Sequence, residues 1–176
     1  MKKIVIVIIS LVIVSKLSAQ FNAGLNINYC YPISKTPSRL GYNVLIGYSI
    51  KKKIDINLKT ENAVVIGSLI DKELKMNSFQ LELKYYLIGI ESLINPYIST
   101  GSGYFIRTIG ESTETAIGIL PSIGALFNIQ ESKKRLYLNT QLAYCYVNTS
   151  YPNTTLNFNI GLLYYFKNKS ETSERK

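Results

Sequence analysis

From Phe21 onward, apolar and polar side chains change places at nearly every step. Leu156, Phe158, Ile160, Leu162, Tyr164 and Phe166 share one parity, and Asn157, Asn159, Gly161, Leu163 and Tyr165 share the other. Strict alternation is the signature of a strand with one apolar face. Phe21 to Tyr31 repeats it with Asn22, Gly24, Asn26, Asn28 and Cys30 as the polar set, and Leu40 to Ile50 with Gly41, Asn43, Gly47 and Ser49. Further strands are predicted from Ile54, through Phe79 to Leu87, over Tyr97–Ile109, over Ile117–Ile129 and from Leu136 to Tyr146. Pro121 falls inside the sixth of these, which suits an edge, a bulge or a kink. The expectation is eight antiparallel strands of about ten residues, an even count that fits a small closed up-and-down transmembrane β-barrel.

The first residues follow another rule. Lys2 and Lys3 precede an apolar run over residues 4–14, broken only by Ser10, and small residues end at Ala19. That is the layout of a cleaved secretory signal over 1–19, too short to span a bilayer as a helix. The barrel domain is then 20–166, and 167–176 is a polar C-terminal tail. Of 20 basic residues, Lys2, Lys3 and Lys16 belong to the leader, and the remainder still outnumber the 11 acidic ones. The two cysteines, Cys30 and Cys145, are too few for a disulfide scaffold and are read as free thiols, separated by an intervening strand.

Alternation does not say which face is inside. The polar faces of the first two and last two strands carry no charge, whereas a water-exposed surface carries about 25–35% charged residues. Asp55, Lys59, Glu61, Glu82, Lys84 and Arg107 all share the polar parity of the middle strands. Facing lipid, six such charges would cost on the order of 10 kcal/mol, as much as a domain's whole stability. Facing inward, three acids and three bases can pair, with Lys59 and Glu61 placed beside Glu82 and Lys84. The apolar face therefore meets lipid. With the N-terminus periplasmic, Tyr29, Tyr31, Tyr42, Phe79, Tyr144 and Tyr146 fall near the outer rim, and Phe21, Tyr48, Tyr85, Tyr164 and Phe166 near the inner one, as two aromatic belts. A soluble periplasmic ligand barrel, with the faces reversed, is the alternative.

With these strands in place, residues 21–166 resemble small bacterial outer-membrane barrels of the OmpX/OmpA kind. The most specific local match is Asn159, Gly161, Tyr164 and Phe166, which resembles the terminal signal of such proteins. The resemblance implies outer-membrane lipid as surroundings and the barrel-insertion machinery as a partner that reads this strand. The tail at 167–176 departs from the pattern, since the signal often ends the chain.

Chemistry is sparse. Histidine is absent, which removes the usual general base and the commonest metal ligand. No cofactor, metal or catalytic site is expected, and no enzyme activity. Glu61 and Glu82 as an acid–base pair are outweighed by an internal ion-pair plug. Gly101-Ser102-Gly103 lies within a strand and is not a phosphate loop. The sequons at Asn148 and Asn153 read as polar loop. Lys51–Lys53 and Lys133–Arg135 fall at periplasmic turns, and no nucleic-acid partner is implied. Eight strands leave an interior just filled by side chains, so no large pore is expected. The longest excursion is the hairpin 62–77, where Val64, Ile66, Leu69 and Ile70 offer an apolar edge to a protein partner. The expected role is structural or partner-binding. The alternatives are a subunit of a secretion or motility assembly and, more weakly, a lipid-modifying enzyme that works without histidine.

Overall fold

The computed structural model describes residues 19–33, 38–65, 74–88, 90, 92–130, 135–148 and 153–166. Residues 1–18 of the expected leader at 1–19, the tip of the 62–77 hairpin with Ile66, Leu69 and Ile70, and the tail at 167–176 lie outside them.

Alternation becomes strand throughout. The elements are β1 (Ala19–Pro32), β2 (Arg39–Ile50), β3 (Ile54–Val65), β4 (Leu74–Tyr86), β5 (Ile94–Ile109), β6 (Ser112–Ile119), β7 (Ser122–Asn128), β8 (Leu136–Val147) and β9 (Asn153–Tyr165). All pairings are antiparallel, and β1 pairs with both β2 and β9, so the sheet closes into a ring. Closure satisfies the backbone groups that an open edge would leave unpaired.

The strand count is nine, not the expected eight. The reason is Pro121. It has no N–H to give to the ladder, so the stave from Ser112 to Asn128 is broken at Leu120-Pro121 into β6 and β7. The register does not change across the break: Ser102 faces Ile119 and Ser99 faces Ser122. Gly101 and Leu120 exchange backbone bonds of 3.1 and 2.9 Å between them. The two short strands therefore lie end to end and fill one place in the ring. The stave also begins at Ser112, five residues before the expected Ile117.

Paired residues lead from Phe21 through Tyr48, Ile56, Leu83 and Thr100 on one side of the ring. From the other side, Tyr144, Leu156 and Tyr31 lead back to β1. This stagger tilts the strands by about 40° to the barrel axis.

The β2–β3 turn, at the end carrying the chain termini, is tight. Lys53 N donates to Ile50 O at 3.2 Å, and Lys51 and Lys52 between them have φ of 51° and 56°. The register pairs Ile50 with Ile54, so the turn is the three lysines 51–53, and its first two sit in the left-handed region that favours Asn and Gly.

The faces divide as the alternation requires. Leu25, Ile46, Leu58, Leu81, Ile117 and Ile160 are exposed on the outside. Asn22, Asn43, Asp55, Lys84, Asn139 and Asn159 are buried inside. Phe21, Tyr48, Tyr164 and Phe166 form a ring-to-ring cluster at the terminal end, with centroids 5.5 Å (Phe21–Tyr48), 5.1 Å (Phe21–Phe166) and 4.9 Å (Tyr164–Phe166) apart. Tyr29, Tyr31, Tyr42, Phe79, Tyr144 and Tyr146 stand exposed towards the loop end.

Candidate functional site

The interior is the one place where buried charge collects among the described residues. Period-two alternation on eight staves sends every second side chain into a narrow lumen. At the terminal end the inward residues are aromatic. Tyr86, Tyr97, Tyr137 and Tyr165 are buried together with Leu45, Ile90, Leu126 and Leu163. Tyr86 meets Tyr97 edge-on at 5.7 Å, and Tyr137 meets Tyr165 edge-on at 5.4 Å. A buried phenol needs a partner, and each has one. Tyr86 and Tyr165 donate to the same oxygen of Asp55, at 2.7 and 2.6 Å, and their hydroxyls lie 2.8 Å apart. Tyr137 donates to Ile90 O at 2.7 Å, and Ile90 N donates to Lys52 O at 3.2 Å. Ile90, between β4 and β5, is thereby tied to both the β2–β3 turn and the tyrosine cluster.

Above this plug a chain of amides crosses the barrel. Asn26 donates to Asn43 (2.7 Å), Asn43 to Asn159 (2.9 Å), Asn159 to Gln141 (3.3 Å) and Gln141 to Glu82 (2.5 Å). It therefore runs from β1 through β2, β9 and β8 to β4. Asn139 joins it to Tyr97, accepting at 2.8 Å and donating to Asn26 at 3.0 Å. Glu82 is the hub. It also accepts from Ser99 at 3.1 Å and Asn57 at 3.2 Å, and Lys84 stands 3.9 Å away. Lys84 Nζ in turn sits 4.3 Å from the centre of the Tyr97 ring, a cation–π contact in a dry setting. Ser99 and Ser122 share a hydrogen bond beside the hub.

Five of the six predicted interior charges are buried here: Asp55, Lys59, Glu61, Glu82 and Lys84. Their partners differ in part from the expectation. Asp55 is directly opposite Lys84, Lys59 is opposite Gln80 and so diagonal to Glu82, and Glu61 is opposite Ser78 and not beside Lys84. Glu61 instead accepts from Gln80 at 3.3 Å and from the Cys30 thiol at 3.9 Å. Arg107 stands apart. It is half-buried near the loop end, opposite Met76 on one side and Glu114 on the other. The third buried base is Arg39, 2% exposed, which begins β2 opposite Cys30. Sequence reasoning missed it because it precedes the first apolar residue of the strand; its parity with Asn43 and Leu45 was the available signal. Cys30 and Cys145 are both free and buried.

Of the terminal-strand residues, Asn159 points inward into the amide chain, while Tyr164 and Phe166 belong to the outer aromatic cluster. Gly161 is the close approach between β9 and β1: a Cβ there would lie 2.1 Å from Leu25 O. Val64 is exposed, but its backbone is paired on both sides, with Leu40 and Lys75.

Known structures share this architecture. The Neisserial surface protein A matches with a TM-score of 0.63 at 14% identity, over 85% of this chain and 97% of that one. A major outer membrane protein from Thermus thermophilus matches with a TM-score of 0.60 at 11% identity, over 85% and 100%. The fold is that of the small outer-membrane β-barrels. The N-terminal barrel domain of Pseudomonas aeruginosa OprF matches likewise, with a TM-score of 0.55 at 11% identity, over 84% and 100%. No protein-family model and no curated protein matches the sequence. The outer-membrane barrel fold accounts for the inversion of polarity seen here, with charge and amide inside and apolar residues outside.

Proposed function

We propose that this chain is exported through a cleaved leader and inserts into the outer membrane as a closed, non-enzymatic barrel. Its role is structural or partner-holding, with the termini in the periplasm. The observation that carries the reading is the filled interior: the amide chain from Asn26 to Glu82 spans the lumen, and four tyrosines close it below. A conducting pore would need these contacts broken at once, against about 1.5–3 kcal/mol for each hydrogen bond to a charged group. The exposed apolar belt between two aromatic rims supports insertion. The partner-facing part is the loop end, above all the 62–77 hairpin, where Asn62 and Asn77 hold the base of the hairpin together at 2.6 Å. The lysine turn at 51–53 then meets the periplasm. The 159–166 strand serves as the address for the insertion machinery.

The decisive experiment is a planar-bilayer recording of purified, heat-modifiable barrel. Silent membranes are expected; stable unit conductance overturns the closed-barrel reading. Crosslinking from the 62–77 hairpin in intact cells is expected to trap one protein partner, and recovery of monomer alone removes the partner-holding role.

A further inference from the structure

A buried cation at the loop end of the lumen has no partner among the described residues. Arg39 begins β2 directly opposite Cys30, and Asn28 stands two residues away from Cys30 on β1, opposite Gly41. Both face inward, exposed at 2% and 0%. A guanidinium carries several N–H donors in a rigid fork and cannot give up its charge. Yet among the described residues Nε and Nη1 of Arg39 find no acceptor, and both Oδ1 and Nδ2 of Asn28 are likewise unpaired. The ion pair among these residues is Lys84–Glu82, at 3.9 Å in the hub, and Arg39 has no carboxylate at that range. Glu61, the acid of the adjoining strand β3, accepts from Gln80 and the Cys30 thiol instead. The amides just below are satisfied, since Asn26, Asn43 and Asn159 bond in series. Asn22 at the terminal end is also unpaired, but it stands between Gly47 and Tyr165 and adjoins no cation in the ladder.

We propose that Arg39 and Asn28 seat a small oxyanion that carries a hydroxyl, of the hydrogen-phosphate class, admitted from the loop end. The two residues are diagonal neighbours on one face of an antiparallel pair, a spacing of about 7–8 Å that long side chains and a bridging ion span. The guanidinium fork matches the oxygens of a phosphate. The unpaired Oδ1 of Asn28 needs a donor as well. Hydrogen phosphate has an O–H to give, whereas sulfate and chloride have none. Water would meet the N–H groups but would leave the buried charge uncompensated, the costly part of the arrangement. Cys30, Gly41 and Ala63, inward neighbours on three adjacent strands, are small, which keeps side-chain bulk low beside Arg39. The amide chain runs beneath and shuts the seat off from the terminal end.

The test uses the full-length barrel refolded in phosphatidylcholine vesicles, with radiolabelled inorganic phosphate in equilibrium dialysis at constant ionic strength near neutral pH. Saturable uptake of a single ion per barrel is expected. Arg39→Met removes the charge and keeps an apolar stem; it is expected to weaken uptake about tenfold or more. Asn28→Ala is expected to weaken it about fivefold, the loss of a hydrogen bond to a charged group. Asn22→Ala and Arg107→Met are expected to leave it unchanged, and sulfate to compete about tenfold less well than unlabelled phosphate. A second measurement needs no variant. About a hundredfold excess of phosphate over its Kd is expected to raise the urea midpoint of the native barrel by about 1 M beyond sulfate of equal ionic strength. Absence of saturable uptake, uptake that survives Arg39→Met in a heat-modifiable barrel, or equal effects of sulfate and phosphate would each overturn the site.

Discussion

Glu82→Gln is the sharpest probe of the interior. The substitution keeps shape and volume and removes one charge. In the native barrel one carboxylate oxygen accepts from Gln141 at 2.5 Å and Ser99 at 3.1 Å, and the other accepts from Asn57 at 3.2 Å and faces Lys84 at 3.9 Å. An amide accepts on its oxygen alone, so one of these two sets of donors must confront an NH₂ group. Hydrogen bonds to charged groups contribute about 1.5–3 kcal/mol and neutral ones about 1 kcal/mol. Three weakened bonds and the loss of the Glu82 charge beside Lys84, which keeps Asp55 opposite and the Tyr97 ring, amount to about 3–4 kcal/mol, the lower end of the range for breaking a buried ion pair from one side. With a urea slope of about 2 kcal/mol/M, the unfolding midpoint should fall by about 2 M. The assay is the fraction of compact, heat-modifiable band on unheated gels across a urea series in vesicles. Glu61→Gln is the control, because among the described residues its side-chain hydrogen bonds come from Gln80 at 3.3 Å and the weak Cys30 thiol donor; it should shift the midpoint far less. Equal shifts for the two variants, or a shift under about 0.5 M for Glu82→Gln, would refute the view of the lumen as a dry, cooperative network.

Three further outcomes follow from the backbone. Gly161→Val should destabilise the barrel by about 3 kcal/mol or more and slow its assembly, because the new Cβ meets Leu25 O and Asn26 Cα, which cannot rotate away; refolding yield into vesicles reads this. Pro121→Ala should stabilise by about 1 kcal/mol, since Tyr144 N already donates to Pro121 O at 2.9 Å and the reciprocal bond to Tyr144 O lacks only its N–H; a raised urea midpoint checks it. Replacing Lys51-Lys52 by Asn-Gly should add about 1 kcal/mol by relieving two positive-φ lysines, again read from the midpoint.

Alternation carried most of the architecture because a lipid-facing sheet has to reject charge on one face and a narrow lumen has to reject bulk on the other. Where both faces become polar the signal vanishes. Ser112-Thr113-Glu114-Thr115 shows no parity, so the sixth stave was expected to begin at Ile117. Pro121 was legible as an irregularity, but its effect on the count depends on a hydrogen bond and not on side-chain pattern. The tyrosine plug was hidden for a different reason. Tyr86 and Tyr165 on the inside and Tyr85 and Tyr164 on the outside are neighbours in sequence with the same chemistry, and only their register separates a phenol bonded to Asp55 from one in the outer aromatic belt. The amide chain joins residues up to 116 positions apart, a distance over which periodicity is silent.

The seam between β1 and β9 also bears on how the gene could be rearranged. Phe166 N donates to Phe21 O at 2.8 Å, so the two ends of the barrel domain are already neighbours across one ladder. Joining them by a short linker and opening the chain at the Lys51–Lys53 turn would yield a circular permutant with every pairing retained. Which strand is made first is thus a matter of genetic order, while the ring itself has no beginning.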